Sequence, residues 1–212
     1  MKLVEMKVLD FINEVDSSSP APGGGSVSAL ASSLGLALSN MVGKLTVTKK
    51  KYKALDEDIQ NKFNSIMSEF ANIKLELIEL IDKDTEAFNL IMDAFKLPKE
   101  TDEEKAFRKT KIEEGTLVAI EVPMQVATLS IVALRQLDYV LAYGNKNTLS
   151  DLAVAALMIY AGLEGALLNV KINIPGISDQ EVVEKYTTKT NEYLEEALEI
   201  KDSILFKVHN RL

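Results

Sequence analysis

The strongest candidate for chemistry in this 212-residue chain is a glycine-rich element that precedes a predicted helix. Gly23, Gly24 and Gly25 follow Pro22, and Ser26 adds a hydroxyl group. The first turn of a helix presents free N–H groups and about half a positive charge, and glycines leave that backbone open to a ligand. The element predicts a binding site for an anion or polar ligand, or else a turn that lets two helices pack closely. It lacks the Lys-Ser/Thr ending of a P-loop, so nucleotide binding is not indicated.

Asp84 is the first candidate for acid-base work. It lies between Leu80 and Ala87 on the apolar seam of a long predicted helix. A carboxylate at such a position must be paired with a cation, act as a helix cap or take part in function, because burial of an unpaired charge is costly. The alternative is helical drift of about 20° per heptad, which brings Ile81 and Phe88 onto the buried face and leaves Asp84 at its edge.

Asp151 is the second candidate. It opens the most apolar helix of the chain, next to Ser150 and shortly after Asn145. A carboxylate at a helix start is stabilised by the helix dipole, and this is the alternative to a catalytic role. Asn169 and Asn173, four residues apart at the end of the same helix, suit recognition of a planar heterocycle or serve as helix C-caps.

Composition excludes several kinds of site. The chain has no cysteine and one histidine, His209, which we interpret as a surface residue. Disulfides, thiolate nucleophiles and cysteine zinc sites are impossible, and no metal site is predicted. A net charge of -8 disfavours binding to a nucleic-acid backbone. Lys50 and Lys51 belong to a basic run that is either solvated or presents cations to a ligand carboxylate.

Hydrophobic periodicity predicts helix nearly everywhere. The predicted helices cover about residues 2–15, from the glycines to 45, 55–95, 101–137, 148–169 and 178–209. In the third, apolar residues from Ile59 to Leu80 recur at alternating steps of four and three. Capping boxes are predicted at Thr101 with Glu104 and at Ser178 with Glu181. Strand-like alternation does not stand out, so we expect one all-α domain over residues 1–212, a bundle of long antiparallel helices.

Two helices are more apolar than a single bundle needs. Residues 152–170 are apolar almost all round, and residues 31, 35, 39 and 43 form a ridge of small side chains. These helices are rich in Ala, Gly and Ser, so we expect burial in a homodimer rather than a membrane span. Residues 1–16 show no secretory signal, so we expect a cytoplasmic protein without a membrane or nucleic-acid partner.

Several segments together resemble one family. They are Ala21–Ser26, Asp82–Phe88, Lys96–Lys99, Glu121–Pro123, Gly144–Asn145, Ser150–Ala156, Asn169–Val170 and Ile172–Asn173. The chain resembles the formiminotetrahydrofolate cyclodeaminase family, which includes related methenyltetrahydrofolate cyclohydrolases. The resemblance implies an all-α dimer with folate sites at the subunit interface, and folate as substrate with no cofactor.

The activity implied is cyclisation of 5-formiminotetrahydrofolate to 5,10-methenyltetrahydrofolate with release of ammonia. Carboxylates suit its cationic one-carbon unit and its proton transfers, and we expect Asp84 and Asp151 to supply them beside the glycine-lined pocket. Residues expected to bind substrate are Gly23, Gly24, Gly25, Ser26, Lys50, Lys51, Asn145, Ser150, Asn169 and Asn173. The alternatives are a methenyltetrahydrofolate cyclohydrolase that uses the same pocket and a non-catalytic helical scaffold.

Overall fold

The structure, a computed structural model, describes residues 2–212. Within this range the chain forms helices and no strand, as the sequence predicts. The α-helices of this range are α1 (Val8–Val15), α2 (Gly24–Val47), α3 (Lys50–Lys53), α4 (Glu57–Phe95), α5 (Asp102–Tyr143), α6 (Leu149–Asn173) and α7 (Gln180–His209). Short 3-10 turns cover Leu3–Glu5, Lys146–Thr148 and Ile174–Gly176.

Helix α4 follows the seam that its periodicity predicts. Phe63, Phe70 and Leu77 along this seam are fully buried. A turn over residues 96–101 reverses the chain, so α5 returns alongside α4 and also contacts α2, α6 and α7. Pro123 lies inside α5, whose helical hydrogen bonding continues to Tyr143, six residues beyond the predicted end at 137. Helix α5 therefore contacts each of the other four long helices.

Helices α2 and α6 pack against each other in opposite directions. Gly24 lies beside Asn169 at one end, whereas Gly35 lies beside Ile159 nearer the other. A Cβ atom on Gly35 would come within 2.8 Å of the carbonyl oxygen of Ala155. The small residues therefore allow close backbone approach, as predicted.

The helix ends confirm some predictions and correct others. Thr101 accepts a hydrogen bond from the Glu104 N–H (3.1 Å), and Glu104 Oε2 accepts one from the Thr101 N–H (3.0 Å), which confirms this capping box. The prediction at Ser178 is wrong, because Asp179 caps α7 through the Glu181 N–H at 2.9 Å. An aspartate at this position accepts from the first turn directly. The predicted helix over 2–15 is interrupted, because Met6 and Lys7 adopt an extended backbone.

Three helical stretches are long and apolar enough, by length and composition alone, to cross a membrane: Gly24–Val47, Asp102–Tyr143 and Lys146–Gly176. Each packs along other helices of the bundle. Polar groups are also buried between them, and Ser32 Oγ lies 2.7 Å from Ser130 Oγ in the interior. Apolar side chains of α2 and α6 nevertheless stay exposed, among them Leu34 (48%) and Leu157 (44%).

Candidate functional site

Asp84 lies against the first turn of α2. Its Oδ2 atom accepts hydrogen bonds from the Ser26 backbone N–H (2.8 Å) and the Ser26 hydroxyl (3.2 Å). The same hydroxyl lies 2.8 Å from the Ile81 carbonyl oxygen, one turn before Asp84 on α4. The α2 N-terminus therefore holds the carboxylate by helix-start donors and by the positive end of the dipole.

Gly25 makes this contact possible. A Cβ atom there would overlap the Asp84 carboxylate, coming within 2.6 Å of Oδ2 and closer still to Oδ1. Real Cβ atoms do not approach an oxygen so closely, so a larger residue would push the carboxylate or the helix away. The glycine element thus allows the Asp84 side chain of α4 to reach the first turn of α2.

A cavity of about 320 Å³ opens beside Asp84. Its wall combines the glycine segment with residues from α4, α5 and α6, namely Pro20, Ala21, Gly23, Gly24, Gly25, Asp84, Phe88, Ile91, Ala119, Asn169, Ile172 and Asn173. The sequence predicts six of these as site residues, and the structure brings them together with Ser26. The cavity is mainly apolar apart from one carboxylate, two amides and the backbone of the glycines.

Burial governs the charge of Asp84. The side chain is half-buried, and loss of solvation raises the pKa of its carboxyl group above the usual value. The hydrogen bonds from the Ser26 hydroxyl and N–H act in the opposite direction and are the smaller effects. The carboxylate therefore has more proton affinity than one in water, while its donors keep it oriented.

The two asparagines bond chiefly to backbone carbonyls. Asn169 Nδ2 donates to Gly165 O (2.8 Å), and Asn173 Nδ2 donates to Asn169 O (2.9 Å). Asn173 Nδ2 also lies 3.3 Å from Ala119 O on α5, so it ties α6 to that helix. Both residues line the cavity, so the predicted positions are right while the amide N–H groups are used in part by helix carbonyls.

The remaining predicted residues lie at the other end of α2 and α6. Lys50, Lys51 and Asn145 line a second cavity of about 430 Å³. Asp151 is half-buried in the first turn of α6, and Ser150 beside it is exposed. The Asn145 N–H donates to the Thr46 hydroxyl at 2.9 Å, which links this end of α6 to the end of α2.

Within one chain the two aspartates do not share a pocket. Asp151 and Asn169 are 18 residues apart on α6, which corresponds to about 27 Å along the helix axis. Asn169 lies at the Asp84 cavity. Within one chain, Asp84 therefore lies beside the glycine-lined pocket and Asp151 does not, so the expectation for Asp151 stays a prediction about the partner chain of a dimer.

Sequence reasoning missed contributors close to Asp84. Thr85 Oγ1 lies 3.3 Å from Ser26 Oγ, and Phe88 and Ile91 form an apolar wall. Phe88 stands one helical turn after Asp84, and this spacing was the signal that could have placed it in the cavity. Among residues 2–212 no three His, Asp or Glu side chains gather as a metal site. The arrangement can bind a cation, exchange a proton with it and hydrogen-bond a polar heterocycle.

Comparison with known proteins gives consistent results. The family model for formiminotransferase-cyclodeaminase matches residues 7–192. The chain is 35% identical to a methenyltetrahydrofolate cyclohydrolase of Methylorubrum extorquens, over 95% of each chain. It is 36% identical to a mouse formimidoyltransferase-cyclodeaminase, over 92% of this chain and 35% of the mouse protein.

The structure has a solved relative as well. A formiminotetrahydrofolate cyclodeaminase from Thermotoga maritima superposes with a TM-score of 0.78 at 28% identity, covering 98% of this chain and 96% of that one. The matches in sequence and in fold span the glycine segment, Asp84 and both asparagines of the cavity. The chain belongs to the formiminotransferase-cyclodeaminase family.

Proposed function

We propose that this protein is a folate one-carbon enzyme that cyclises 5-formiminotetrahydrofolate to 5,10-methenyltetrahydrofolate and releases ammonia. The observation that carries the proposal is the half-buried Asp84 carboxylate, held by Ser26 at the edge of a cavity with an apolar wall. A cationic amidinium is attracted to such a carboxylate more strongly than in water. Family membership supports the folate substrate.

The reaction needs one proton to move between two nitrogen atoms. N10 attacks the amidinium carbon and forms the new C–N bond, and Asp84 accepts the N10 proton. Asp84 then returns that proton to the former formimino nitrogen, whose C–N bond breaks to release ammonia. The raised pKa of Asp84 suits both transfers. The product keeps the positive charge, and Asp84, ionised again once it has returned the proton, stabilises that charge.

The other residues of the cavity position the substrate in this proposal. The Gly24 and Gly25 N–H groups stand in the first turn of α2, where no helical acceptor exists for them. They would donate to polar atoms of the folate. Asn169 and Asn173 would present their amide oxygens to the pterin, since their N–H groups already bond carbonyls.

We also propose that the working form is a homodimer built on α2 and α6. Large apolar side chains stay exposed on these two helices, and Leu34, Leu157 and Leu168 are between 44% and 59% exposed. A two-fold axis running across the helices would bring the Asp151 end of one chain to the Asp84 cavity of its partner. Asp151, Lys50 and Lys51 would then complete a shared site.

A second candidate function is methenyltetrahydrofolate cyclohydrolase. The supporting observation is the Methylorubrum extorquens protein of that name, which matches this chain over 95% of both lengths. The same carboxylate would take a proton from water as the water attacks the methenyl carbon. The cavity geometry suits both reactions, so the two functions are distinguished by assays with the two substrates.

One experiment tests both functions. The purified protein is given 5-formiminotetrahydrofolate, and ammonia release is followed together with the appearance of methenyl absorbance. In parallel it is given 5,10-methenyltetrahydrofolate, and loss of that absorbance is followed. A cyclodeaminase is expected to release ammonia in the first assay. A cyclohydrolase is expected to release none and to show only the loss of methenyl absorbance in the second assay. Absence of turnover in both contradicts the proposal and favours a non-catalytic scaffold.

A further inference from the structure

The Ser26 hydroxyl group has one hydrogen atom and lies close to three other oxygen atoms. Ser26 Oγ is 2.8 Å from the Ile81 carbonyl oxygen and 3.2 Å from Asp84 Oδ2. The third oxygen, Thr85 Oγ1, is 3.3 Å away. A carbonyl oxygen and an ionised carboxylate can only accept, so the first two compete for the single hydrogen. The carbonyl is the nearer acceptor, and donation from the hydroxyl to Asp84 therefore needs support.

Thr85 can give that support, because its hydroxyl group both donates and accepts. A threonine inside a helix commonly donates back to the carbonyl one turn earlier, as Thr128 does to Met124 O at 2.9 Å. Thr85, which is half-buried on α4, directs its hydroxyl group to Ser26 Oγ on α2 instead. Since the hydrogen of Ser26 goes to one of its two acceptors, Thr85 is the donor in this contact.

The direction of this hydrogen bond strengthens the next one. A hydroxyl group that accepts a hydrogen bond becomes a better donor, because successive hydrogen bonds polarise one another. An ionised carboxylate gains more from a better donor than a neutral carbonyl does. Donation by Thr85 therefore favours the arrangement in which the Ser26 hydrogen points to the ionised Asp84.

Other charged groups around Asp84 are occupied or turned away. From α5 and α6 the cavity wall is uncharged, since its polar side chains there are asparagine amides, and the first turn of α2 has no acidic residue. On α4, Asp82 accepts from a backbone N–H (2.6 Å), Lys83 pairs with Glu79 (3.2 Å) and Glu86 is exposed. Burial and the Ser26 donors set the pKa of Asp84, so a change in the Ser26 hydroxyl should be visible in its titration.

We propose that Thr85 is a positioning residue for Asp84: its hydroxyl group donates to Ser26 Oγ, and the Ser26 hydroxyl in turn donates to the ionised carboxylate. The inference rests on the proposed function, in which Asp84 is the base. Thr85 acts on the reaction through Ser26 rather than by contact with the substrate. The path leaves α4, passes through the first turn of α2 and returns to α4 one residue away.

Carbon-13 NMR titration of the Asp84 carboxyl group, in protein without substrate, tests the proposal. Thr85→Val keeps the shape of the side chain and removes the donor, so Asp84 should titrate roughly 0.2–0.5 pH unit higher than in the wild type. The acid limb of kcat/KM should move upward by the same amount. Thr85→Ser keeps the hydroxyl group and should titrate like the wild type. The matched control is Thr128→Val, the same change on α5, which should leave the titration unmoved.

A second comparison tests whether the effect passes through Ser26. In the Ser26→Ala background, Thr85→Val should have no further effect on the titration of Asp84. An equal effect in both backgrounds overturns the proposal, as does an unmoved titration in Thr85→Val. A Thr85→Ser protein that titrates like Thr85→Val overturns it as well. The titration needs no turnover, so the expected shift in a protein that lacks catalysis contradicts only the proposed function.

Discussion

The backbone N–H of Ser26 donates to Asp84 Oδ2 across 2.8 Å, joining the first turn of α2 to the C-terminal half of α4. This contact fixes a carboxylate where the helix dipole favours negative charge and where solvent is partly excluded. The same serine hydroxyl also bonds the carbonyl of Ile81, so its position is set from two sides. The geometry of the candidate site therefore depends on how closely α2 approaches α4.

Replacing Gly25 tests that approach. Gly25→Ala should lower turnover by about 10² or more, because the new Cβ would displace the Asp84 carboxylate from its donors. Gly23→Ala should cost much less, since its Cβ would meet only Pro20 O at an ordinary 3.5 Å. Steady-state rates of the two variants provide the measurement. Equal losses would contradict the role given to Gly25.

The hydroxyl of Ser26 should influence the pH profile. Its hydrogen bond lowers the pKa of Asp84, so Ser26→Ala should raise that pKa further. A base must be ionised to accept a proton, so the acid limb of kcat/KM should move to higher pH, with a several-fold loss of rate at its acid end. Ser28→Ala is the control, because that hydroxyl bonds Gly24 O instead (2.6 Å). An unmoved limb in Ser26→Ala would exclude Asp84 as the titrating base.

Ionisation of Asp84 should lower the stability of the fold, although activity requires it. Because burial raises the pKa of Asp84, the folded protein binds a proton at this carboxyl group more tightly than the unfolded chain does. The protonated carboxyl group therefore contributes favourably to stability in acid. This contribution is lost as pH rises through the pKa of the folded state. Asp84→Asn should therefore melt at the wild-type temperature or roughly 1–3 °C above it at pH 7. The difference in melting temperature between Asp84→Asn and the wild type should become smaller toward pH 4. A lower melting temperature at pH 7 would indicate that the ionised form stabilises the fold.

Mixed dimers test whether Asp151 reaches the partner's cavity. Asp84→Asn and Asp151→Asn should each be nearly inactive as homodimers, with turnover lowered by ~10² or more. If each site takes one aspartate from each chain, a heterodimer of the two variants contains one intact site. Statistical mixing then restores about a quarter of wild-type activity. No recovery from a mixture shown to exchange subunits would contradict the shared site.

Much of the helical architecture could be predicted from the sequence because long, regular hydrophobic seams specify it. The seam of α4 and the Thr101 cap are local patterns, and both are confirmed. The pattern alone could not decide whether the buried face of the helix shifts to Ile81 and Phe88 after Leu80. Ala87 and Ala94 stay buried in the structure, so the seam continues and Asp84 remains on it.

The grouping of the site was harder to predict because it depends on which helix ends meet. One available signal was overlooked: Asp151 and Asn169 belong to one helix, whose rise of 1.5 Å per residue separates them widely.

The most direct test of the account is the turnover of Asp84→Asn with 5-formiminotetrahydrofolate, measured as ammonia release beside circular dichroism. We expect a loss of at least ~10² in kcat with unchanged helix content. Asp82→Asn is the matched control, since it removes the same charge two residues away, where the carboxylate bonds the Leu3 N–H (2.6 Å) instead. Asp82→Asn should turn over at close to the wild-type rate. A wild-type rate in Asp84→Asn would contradict the central claim.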